Sequence, residues 1–430
     1  MSRRGRLPWV LALLVAASVV TSRAHGQTEP ASEASEVTVD TGRARIAGGT
    51  RFIGLGGAFV AIAQDTEGVA VNPAGSAVRM PYSWSSWDYG LGADLAIGNW
   101  LPKNNFYNRP QVEGDVGSKT ALFGSVSALI NYEHFGLGLS AEAQRNAATR
   151  SDQALGISSN LTASFGVVHA GMAYGFFDGQ LQLGAGPRFV GVTFDRRGGG
   201  ASVLSSAGVG YEAGFILKPV LAQYRVGASV KAPVNARLPS DVGELPETVH
   251  VPWEVAFGAA YQFGTPRLNP RFVTAREVAQ RKTPGRKPSA PELARAETQL
   301  YDNYDKAERF YVLLSAELAL LQGTHGHAGF EQYWSRGAGR SLGGVIFSPR
   351  LGAESEVVPH ILRLRAGTYY EPPLIEGVRG RLHGTGGLDV RLFDWNVFGL
   401  LGRVNYWRLS LAGDGAREYL NTVVSIGFWH

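Results

Sequence analysis

The sequence predicts an all-β protein, a 14-stranded antiparallel transmembrane β-barrel. Three observations carry this prediction. Apolar and polar residues alternate along most of the chain, the alternating segments are long, and 56 glycines accompany an aromatic content of 10%. Successive side chains of a strand point to opposite faces, so each segment has one apolar face and one polar or glycine-rich face. Globular strands usually have about 5 or 6 residues, and these segments are much longer, as in membrane barrels.

The N-terminus, residues 1–26, predicts a secretory signal peptide. Arg3, Arg4 and Arg6 precede an apolar run from Trp9 to Val20, and Ala24-His25-Gly26 offers a cleavage site. This run is too short for a spanning helix, and no later apolar run is long enough for one. We therefore expect export to the outer membrane of a Gram-negative bacterium, with outer-membrane lipid around the barrel.

The composition excludes several classes of protein. The chain has no cysteine, which excludes disulfides, thiolate metal sites and cysteine nucleophiles. A net charge of +5 without a basic patch does not predict binding to nucleic acid. The sequence contains no plausible catalytic triad, defined carboxylate pair or metalloenzyme signature, so we expect no enzyme activity, no cofactor and no metal.

Alternation defines fourteen candidate strands. In "FGLGLSAEAQ", Phe135, Leu137 and Leu139 share one face, whereas Gly136 and Gly138 lie on the other. The even number suits a single-chain bacterial barrel. The predicted strands span 83–99, 118–131, 133–147, 157–176, 178–195, 204–218, 222–234, 250–263, 309–322, 343–357, 361–371, 380–393, 396–413 and 418–430.

Connections between these strands alternate in length. With a periplasmic N-terminus, the periplasmic turns are short and include "PVL", "VPH" and "DWN". The outer connections 100–117, 235–249 and 323–342 are longer. Short periplasmic turns and longer outer loops are typical of outer-membrane barrels.

One periplasmic connection, the insert at 264–308, breaks this rule. Its first half is basic and rich in proline, and its second half contains helix formers after a start at Ser289 to Glu292. Loops of this length are usually functional or disordered. Two interpretations stay open: a solvated helix with a flexible lead-in, or a docking platform for a periplasmic protein.

The stretch "RFIGLGGAFVAIAQDTEGVAVNPAG" carries the most specific motif. Its Gly-x-Gly-Gly start lacks the preceding strand that a dinucleotide-binding loop requires. The stretch instead resembles the N-terminal signature of FadL-type outer-membrane transporters. "RVGASVKAPV", "VPWEVAFGAAYQF" and "LRLRAGTYYEPP" are similar to later family segments, in the same order. The matching motif residues include Gly56, Gly57, Ala58, Asp65, Asn72, Pro73, Ala74 and Gly75.

The resemblance implies an N-terminal hatch, residues 27–81, inside a barrel formed by residues 82–430. It implies passive uptake of long-chain fatty acids or other hydrophobic or amphipathic small molecules. The ligand is captured near the outer loops and leaves sideways after the hatch moves. PorV-like barrels, which act as scaffolds for secretion or surface attachment, share this style of N-terminus. An apolar pocket leading to a gap in the wall favours the transporter, whereas a filled lumen favours the scaffold.

Basic residues on the predicted lumenal face are candidate ligand contacts. One or two of them are suited to holding the carboxylate of an amphipathic ligand. The alternative is an interior ladder of salt bridges that satisfies the polar wall. We expect Asp65 to pair with a lumenal arginine, because a buried carboxylate needs a partner. The candidates are Arg188, Arg225, Lys231, Arg363, Arg365, Arg381 and Arg391.

Overall fold

The computed structural model describes most of the chain after the predicted signal peptide, which lies outside the described residues. It covers residues 36–38, 46–79, 85–98, 108, 122–152, 157–197, 202–238, 247–282, 284–324, 328–329, 342–374, 377–395 and 406–429. Among these residues, no helix is long and apolar enough to cross a membrane.

Fourteen antiparallel strands form a closed barrel, and four short strands form a separate sheet. The predicted fold class is therefore confirmed. The small sheet contains β1 (Glu36–Thr38), β9 (Val234–Arg237), β10 (Thr248–Val251) and β13 (Ala328–Gly329). The barrel contains β2 (Trp87–Ile97), β3 (Leu122–Tyr132), β4 (Phe135–Asp152), β5 (Ile157–Gly175), β6 (Leu181–Arg197), β7 (Ser202–Leu217), β8 (Tyr224–Lys231), β11 (Glu254–Thr265), β12 (Phe310–Gly323), β14 (Gly344–Val358), β15 (Leu362–Glu371), β16 (Arg381–Asp394), β17 (Tyr406–Ala416) and β18 (Tyr419–Phe428).

Three predicted strands differ from the structure beyond shifts of a few residues at their ends. The strand predicted at 250–263 begins at Glu254, because Thr248–Val251 forms β10 of the small sheet. The strand predicted at 396–413 begins at Tyr406, and residues 396–405 lie outside the described part. Tyr406 pairs with Asp394, so the connection between these strands is longer than the tight turn predicted at "DWN". The strand predicted at 222–234 leaves the wall after Lys231, where Ala232-Pro233 follows. Proline lacks the backbone N–H that a ladder needs, and the chain turns inward to form β9.

The outer surface of the barrel is apolar. On β4, Leu137 and Leu139 are about half exposed, while the alternating Gly136 and Gly138 are buried. We call the end of the barrel that carries residues 264–308 the insert end, and the opposite end the loop end. Exposed aromatic residues gather at the insert end, as in the girdles of transmembrane barrels. They include Trp87, Tyr132, Tyr174, Phe177, Tyr261, Phe263, Phe310 and Trp395.

The inside of the barrel is occupied by residues 46–79, which we call the lumenal segment. It contains the short helix α1 (Thr50–Gly54) and 3-10 turns at Thr66–Gly68 and Pro73–Ala77. Almost all of its side chains are buried, and its apolar ones form about half of the central core. The glycine and alanine content of the stretch allows this close packing against the wall.

The lumenal segment is tied to both ends of the barrel. Upstream of it, β1 pairs in parallel with β10 and β13, which belong to connections at the loop end. Downstream, the chain enters β2 at the insert end. The segment therefore runs along the barrel between two fixed points.

The insert forms a helical hairpin of α2 (Ala275–Lys282) and α3 (Ala290–Asp305). The expected helix start is present: Ser289 and Glu292 form a capping box, with the Ser289 N–H donating to the Glu292 carboxylate at 2.7 Å. Helix α2 lies in the first half of the insert, which one of the two interpretations treats as a flexible lead-in. It forms because Ala275 and Ala279 pack against Ala296 of α3.

Candidate functional site

The lumenal segment contacts the barrel wall at glycine positions, where its backbone or side chains come very close to the backbone of the wall. A Cβ atom on Gly184 would meet the backbone of Pro73 and Ala74, and one on Gly367 would meet the backbone of Leu55. A larger side chain at these positions would displace the segment. We call these wall positions the glycine seats; they comprise Gly136, Gly138, Gly184, Gly214, Gly227, Gly258, Gly352 and Gly367.

The Asn72-Pro73-Ala74-Gly75 motif is a compact turn held against β7 and β8. The Asn72 side-chain oxygen accepts from the Ala74 N–H at 3.1 Å, and Pro73 begins the 3-10 turn. The Asn72 amide donates to the carbonyl of Val60 at 2.9 Å. It also lies 3.2 Å from the carbonyls of Phe215 and Ala228 in the wall. Asn72 thus joins two parts of the lumenal segment to the barrel.

Gly56 and Gly57 require their glycine identity. Their φ values are +60° and +76°, in the left-handed region that other residues rarely adopt. A Cβ on Gly56 would also lie 2.7 Å from the backbone nitrogen of Thr368 on β15. These glycines let the chain turn after α1 while it touches the wall.

A chain of charges connects the lumenal segment to β14, β15 and β16. Arg51 binds the Glu354 carboxylate with two bonds of 2.8 and 2.9 Å. Arg365 donates to Glu354 at 2.6 Å and forms a second bidentate pair with Asp389, where one of the two bonds is 2.6 Å. All four side chains are buried. Such bidentate pairs fix geometry as well as charge.

Arg408 on β17 closes this chain into a loop, which we call the charge ring. Its guanidinium lies 3.7 Å from Asp389 and 3.4 Å from both Asp65 and Glu67 of the lumenal segment. Glu67 in turn accepts from the backbone N–H of Arg51 at 2.9 Å, at the start of α1. Asp65 therefore pairs with an arginine, as expected, but with one outside the predicted set.

A second anchor lies on β12. The Glu317 carboxylate accepts from the backbone N–H groups of Phe59 and Val60 at 2.9 and 2.8 Å. Arg350 donates to the same carboxylate at 2.8 Å. A buried carboxylate that holds two backbone amides orients the middle of the lumenal segment.

A small polar cavity lies beside the lumenal segment. Its volume of ≈ 10 Å³ suits about one water molecule. Phe52, Glu67, Asp94, Ser125 and Glu142 contribute to its lining. This part of the lumen is filled by protein. Across the described ranges, no group of three or more His, Asp or Glu side chains could hold a metal ion.

The β5–β6 ladder is interrupted next to the Asn72–Gly75 motif. Among the described residues of these strands, paired positions run to His169–Arg188 and resume at Met172–Ala185. Pro187 occupies the gap, and proline cannot donate to a ladder. On the lumenal side, a Cβ on Gly171 or Gly184 would lie 3.3 or 2.5 Å from an atom of Pro73. The β5–β6 ladder therefore has fewer backbone hydrogen bonds beside the Asn72–Gly75 motif than along the rest of its described length.

No family model matches this sequence, and no curated protein matches it. Among solved structures, a Pseudomonas aeruginosa FadL homologue aligns with a TM-score of 0.50 at 12% identity, over 89% of this chain and 99% of that one. The chain has a FadL-like fold. The Pseudomonas putida toluene transporter TodX also aligns, with a TM-score of 0.47 and 13% identity over 89% and 97% of the two chains. The resemblance inferred from the motif is thus confirmed at the level of the fold.

The predicted lumenal cations of this FadL-like barrel bond to protein groups. Arg363 and Arg381 donate to Glu356 and Glu371 at 3.1 and 2.7 Å, and Arg365 belongs to the charge ring. Three of the other candidates donate to neutral oxygens. Arg188 donates to the Ala232 carbonyl, Lys231 to the Ala70 carbonyl, and Arg225 to Asn269 and two backbone carbonyls. Arg391 is half-buried and stacks on the Tyr406 ring.

Several important residues were missed. Arg51, Arg350 and Arg408 were not among the candidates, although two of them lie in alternating strands. The same face-by-face reading of "FSPRLGAESE" and "YWRLSL" identifies Arg350 and Arg408 as inward-facing. Arg51 had no such signal because α1 is a single short helix whose neighbours are set by the barrel.

Burial raises the pKa of the Glu67 carboxyl to about 7, and the nearby Asp94 charge adds to this shift. Because the pKa in the folded state exceeds the ordinary value of 4.5, the contribution of this group to stability is full below pH 4.5 and is lost as the pH rises through about 7. Glu67→Gln keeps the acceptor for the Arg51 N–H without the charge.

We predict that Glu67→Gln reduces the fall in stability between pH 4.5 and 7, by about 1–3 kcal/mol relative to the native chain. Thermal unfolding of both proteins in detergent, followed over this range, measures the difference. Parallel pH profiles for the two proteins would contradict the role given to Glu67.

A second prediction concerns the glycine seats. Gly367→Ala places a Cβ against the lumenal segment and should destabilise its seating by about 1–3 kcal/mol. Gly384→Ala on the neighbouring strand meets nothing within 4 Å and is the matched control. Tryptic protection of the lumenal segment in the folded barrel measures the effect; equal protection in both variants would show that the seat is not required.

Proposed function

We propose that this protein is an outer-membrane channel for passive uptake of hydrophobic or amphipathic small molecules, with the lumenal segment as its hatch. The apolar outer face, the aromatic girdle and the FadL-like fold support a barrel in the outer membrane. The single observation that carries the proposal is the position of the Asn72–Gly75 motif behind the interrupted β5–β6 ladder. On this proposal the insert end faces the periplasm, and ligand enters at the loop end.

The interruption at Pro187 supports a sideways exit. An apolar ligand that leaves through the wall passes directly into lipid and is never exposed to the periplasm. Opening at this point breaks fewer backbone bonds than elsewhere in the ladder, since paired positions are already missing. The hatch needs only a local shift of Pro73 and Ala74 away from Gly171 and Gly184 to uncover it.

The charges favour apolar ligands over long-chain fatty acids. Arg363, Arg365 and Arg381 already bind carboxylates of the wall. A fatty-acid carboxylate would have to displace one of these partners, and removing one member of a buried pair leaves an uncompensated charge. A neutral hydrophobic compound avoids that cost.

A scaffold is the second candidate function, and a specific observation favours it. The part of the lumen that is described is filled by the lumenal segment and by salt bridges, and the insert adds a helical hairpin at one end. A PorV-like barrel that does not transport has no need of an open path. A periplasmic protein bound to residues 264–308 belongs to this alternative.

The uptake test uses the natural absence of cysteine. Met172→Cys with Ala185→Cys places two thiols on paired positions of β5 and β6 beside the interruption and leaves Pro187 in place, so that an inter-strand disulfide can form there. Ala128→Cys with Leu139→Cys joins β3 and β4 away from the motif and is the control. We predict that oxidation stops uptake of a labelled alkyl or aromatic hydrocarbon only in the first variant, and that reduction restores it.

A labelled long-chain fatty acid, measured in the same cells, decides between ligand classes. Uptake of hydrocarbon that continues with β5 and β6 locked would disprove the sideways exit. Correct membrane insertion without uptake of either ligand would favour the scaffold, and capture of partners by residues 264–308 would then be measured.

A further inference from the structure

The insert spans the opening of the barrel at the insert end. Near its beginning, the Asn269 carbonyl accepts from the Leu221 N–H at 2.8 Å, in the turn between β7 and β8. Phe272 then lies 6.4 Å from the His134 ring, in the turn between β3 and β4. The first part of the insert thus reaches from one side of the barrel to strands several positions away.

The second helix of the insert returns to other turns of the same end. On α3, the Tyr301 hydroxyl lies 3.2 Å from that of Tyr406 at the start of β17. The Tyr304 ring packs edge-on against His360, in the turn between β14 and β15. The insert as a whole therefore contacts four separate places on the rim and covers the opening.

The insert also contacts the lumenal segment, and Arg225 on β8 connects the two. Its Nη1 donates to the Ile62 carbonyl of the lumenal segment at 3.2 Å. Its Nε donates to Asn269 Oδ1 at 2.7 Å, and its Nη2 to the Leu268 carbonyl at 2.8 Å. The Arg225 side chain is almost fully buried, with 2% of its surface exposed.

A second contact between the insert and the lumenal segment lies at Arg79, the last residue of the segment. The Arg79 guanidinium stacks on the Phe272 ring, 4.4 Å from its centre. Cation–π contacts of this kind are favourable when they are shielded from water. The insert thus contacts residues at or next to both ends of the stretch from Ile62 to Arg79.

Arg225 differs from the arginines of the charge ring in its acceptors. The hydrogen bonds described for it go to neutral oxygens, two of which belong to the insert. If the insert moved away, a buried guanidinium would lose its Asn269 and Leu268 acceptors, which is costly because buried polar groups need partners. The position of the insert and that of Arg225 are therefore coupled.

We propose that the insert is a cover of the insert end that holds the lumenal segment closed, with Arg225 as the positioning residue between them. Displacing the cover removes two acceptors of Arg225, Asn269 Oδ1 and the Leu268 carbonyl, so that the guanidinium is no longer held where it fixes the carbonyl of Ile62. The part of the lumenal segment that begins at Ile62 is released, while Glu317 still holds the backbone N–H groups of Phe59 and Val60. This role does not depend on which molecule the barrel transports, and it also applies to a scaffold.

The test measures thiol labelling of the full chain in detergent. Ile62→Cys and Val60→Cys each place one thiol at a fully buried position of the lumenal segment. In the otherwise native chain both should react slowly with a polar maleimide. Asn269→Ala, which removes one acceptor of Arg225, should accelerate labelling of Ile62→Cys by about ten-fold and leave Val60→Cys unchanged.

Two further variants separate coupling from general damage. Phe272→Ala leaves Arg225 and its acceptors intact and should accelerate labelling of Ile62→Cys less than Asn269→Ala does. Arg225→Lys replaces the planar guanidinium with a single ammonium group. It should give a labelling rate at Ile62→Cys as high as that in Asn269→Ala. Folding of each barrel is checked by its heat-dependent mobility in gels.

Unchanged labelling of Ile62→Cys in the Asn269→Ala and Arg225→Lys backgrounds would overturn the proposal. Equal acceleration at Val60→Cys would also overturn it, because that result means general loosening and not release of the part that begins at Ile62. The labelling rates do not depend on uptake. If the native chain takes up no hydrocarbon, the channel proposal fails, and the labelling experiment still tests the cover.

Discussion

The charge ring is the interaction on which the rest of this structure depends. It begins at Arg51, crosses β14, β15, β16 and β17, and returns to Arg51 through Glu67. Buried ion pairs add little net stability, because desolvation offsets most of their attraction. Their effect here is on geometry: a lumenal segment shifted by a few ångströms would leave several buried charges unpaired at once.

The opposite side of the lumenal segment is held differently. Against β5, β6 and β7 the contacts are backbone against glycine, and the main polar anchor is the Asn72 amide. Neutral contacts of this kind are lost at lower cost than a network of buried charges. The two sides give the segment a firmly held face and a more easily released face, and the interruption at Pro187 lies on the latter.

Fixed points at both ends restrict how the lumenal segment moves. The pairing of β1 at the loop end and the entry into β2 at the insert end prevent it from leaving the barrel as a unit. The cover adds contacts near Ile62 and Arg79. Movement is therefore confined to short stretches between anchors, which suits a gate for small molecules better than a wide pore.

The sequence by itself determined the barrel and the identity of its inward face. Alternation along the chain follows from the two-residue period of a strand, and lipid outside the wall requires apolar residues on that side. It also placed Arg363 and Arg365 on the same inward face before any contact was known. A segment inside the barrel was implied only by the resemblance of the motif around Asn72 to a known family, and alternation by itself did not indicate it.

Only the tertiary structure decided which charges meet. Arg408 reaches Asp65, and Arg51 reaches Glu354, across hundreds of residues of chain, and no local pattern records such pairings. The same holds for Arg225, whose acceptors come from the insert and from the lumenal segment. Strand period specifies the face on which a side chain lies, whereas the partner it finds there depends on barrel closure and on the path of the chain through the lumen.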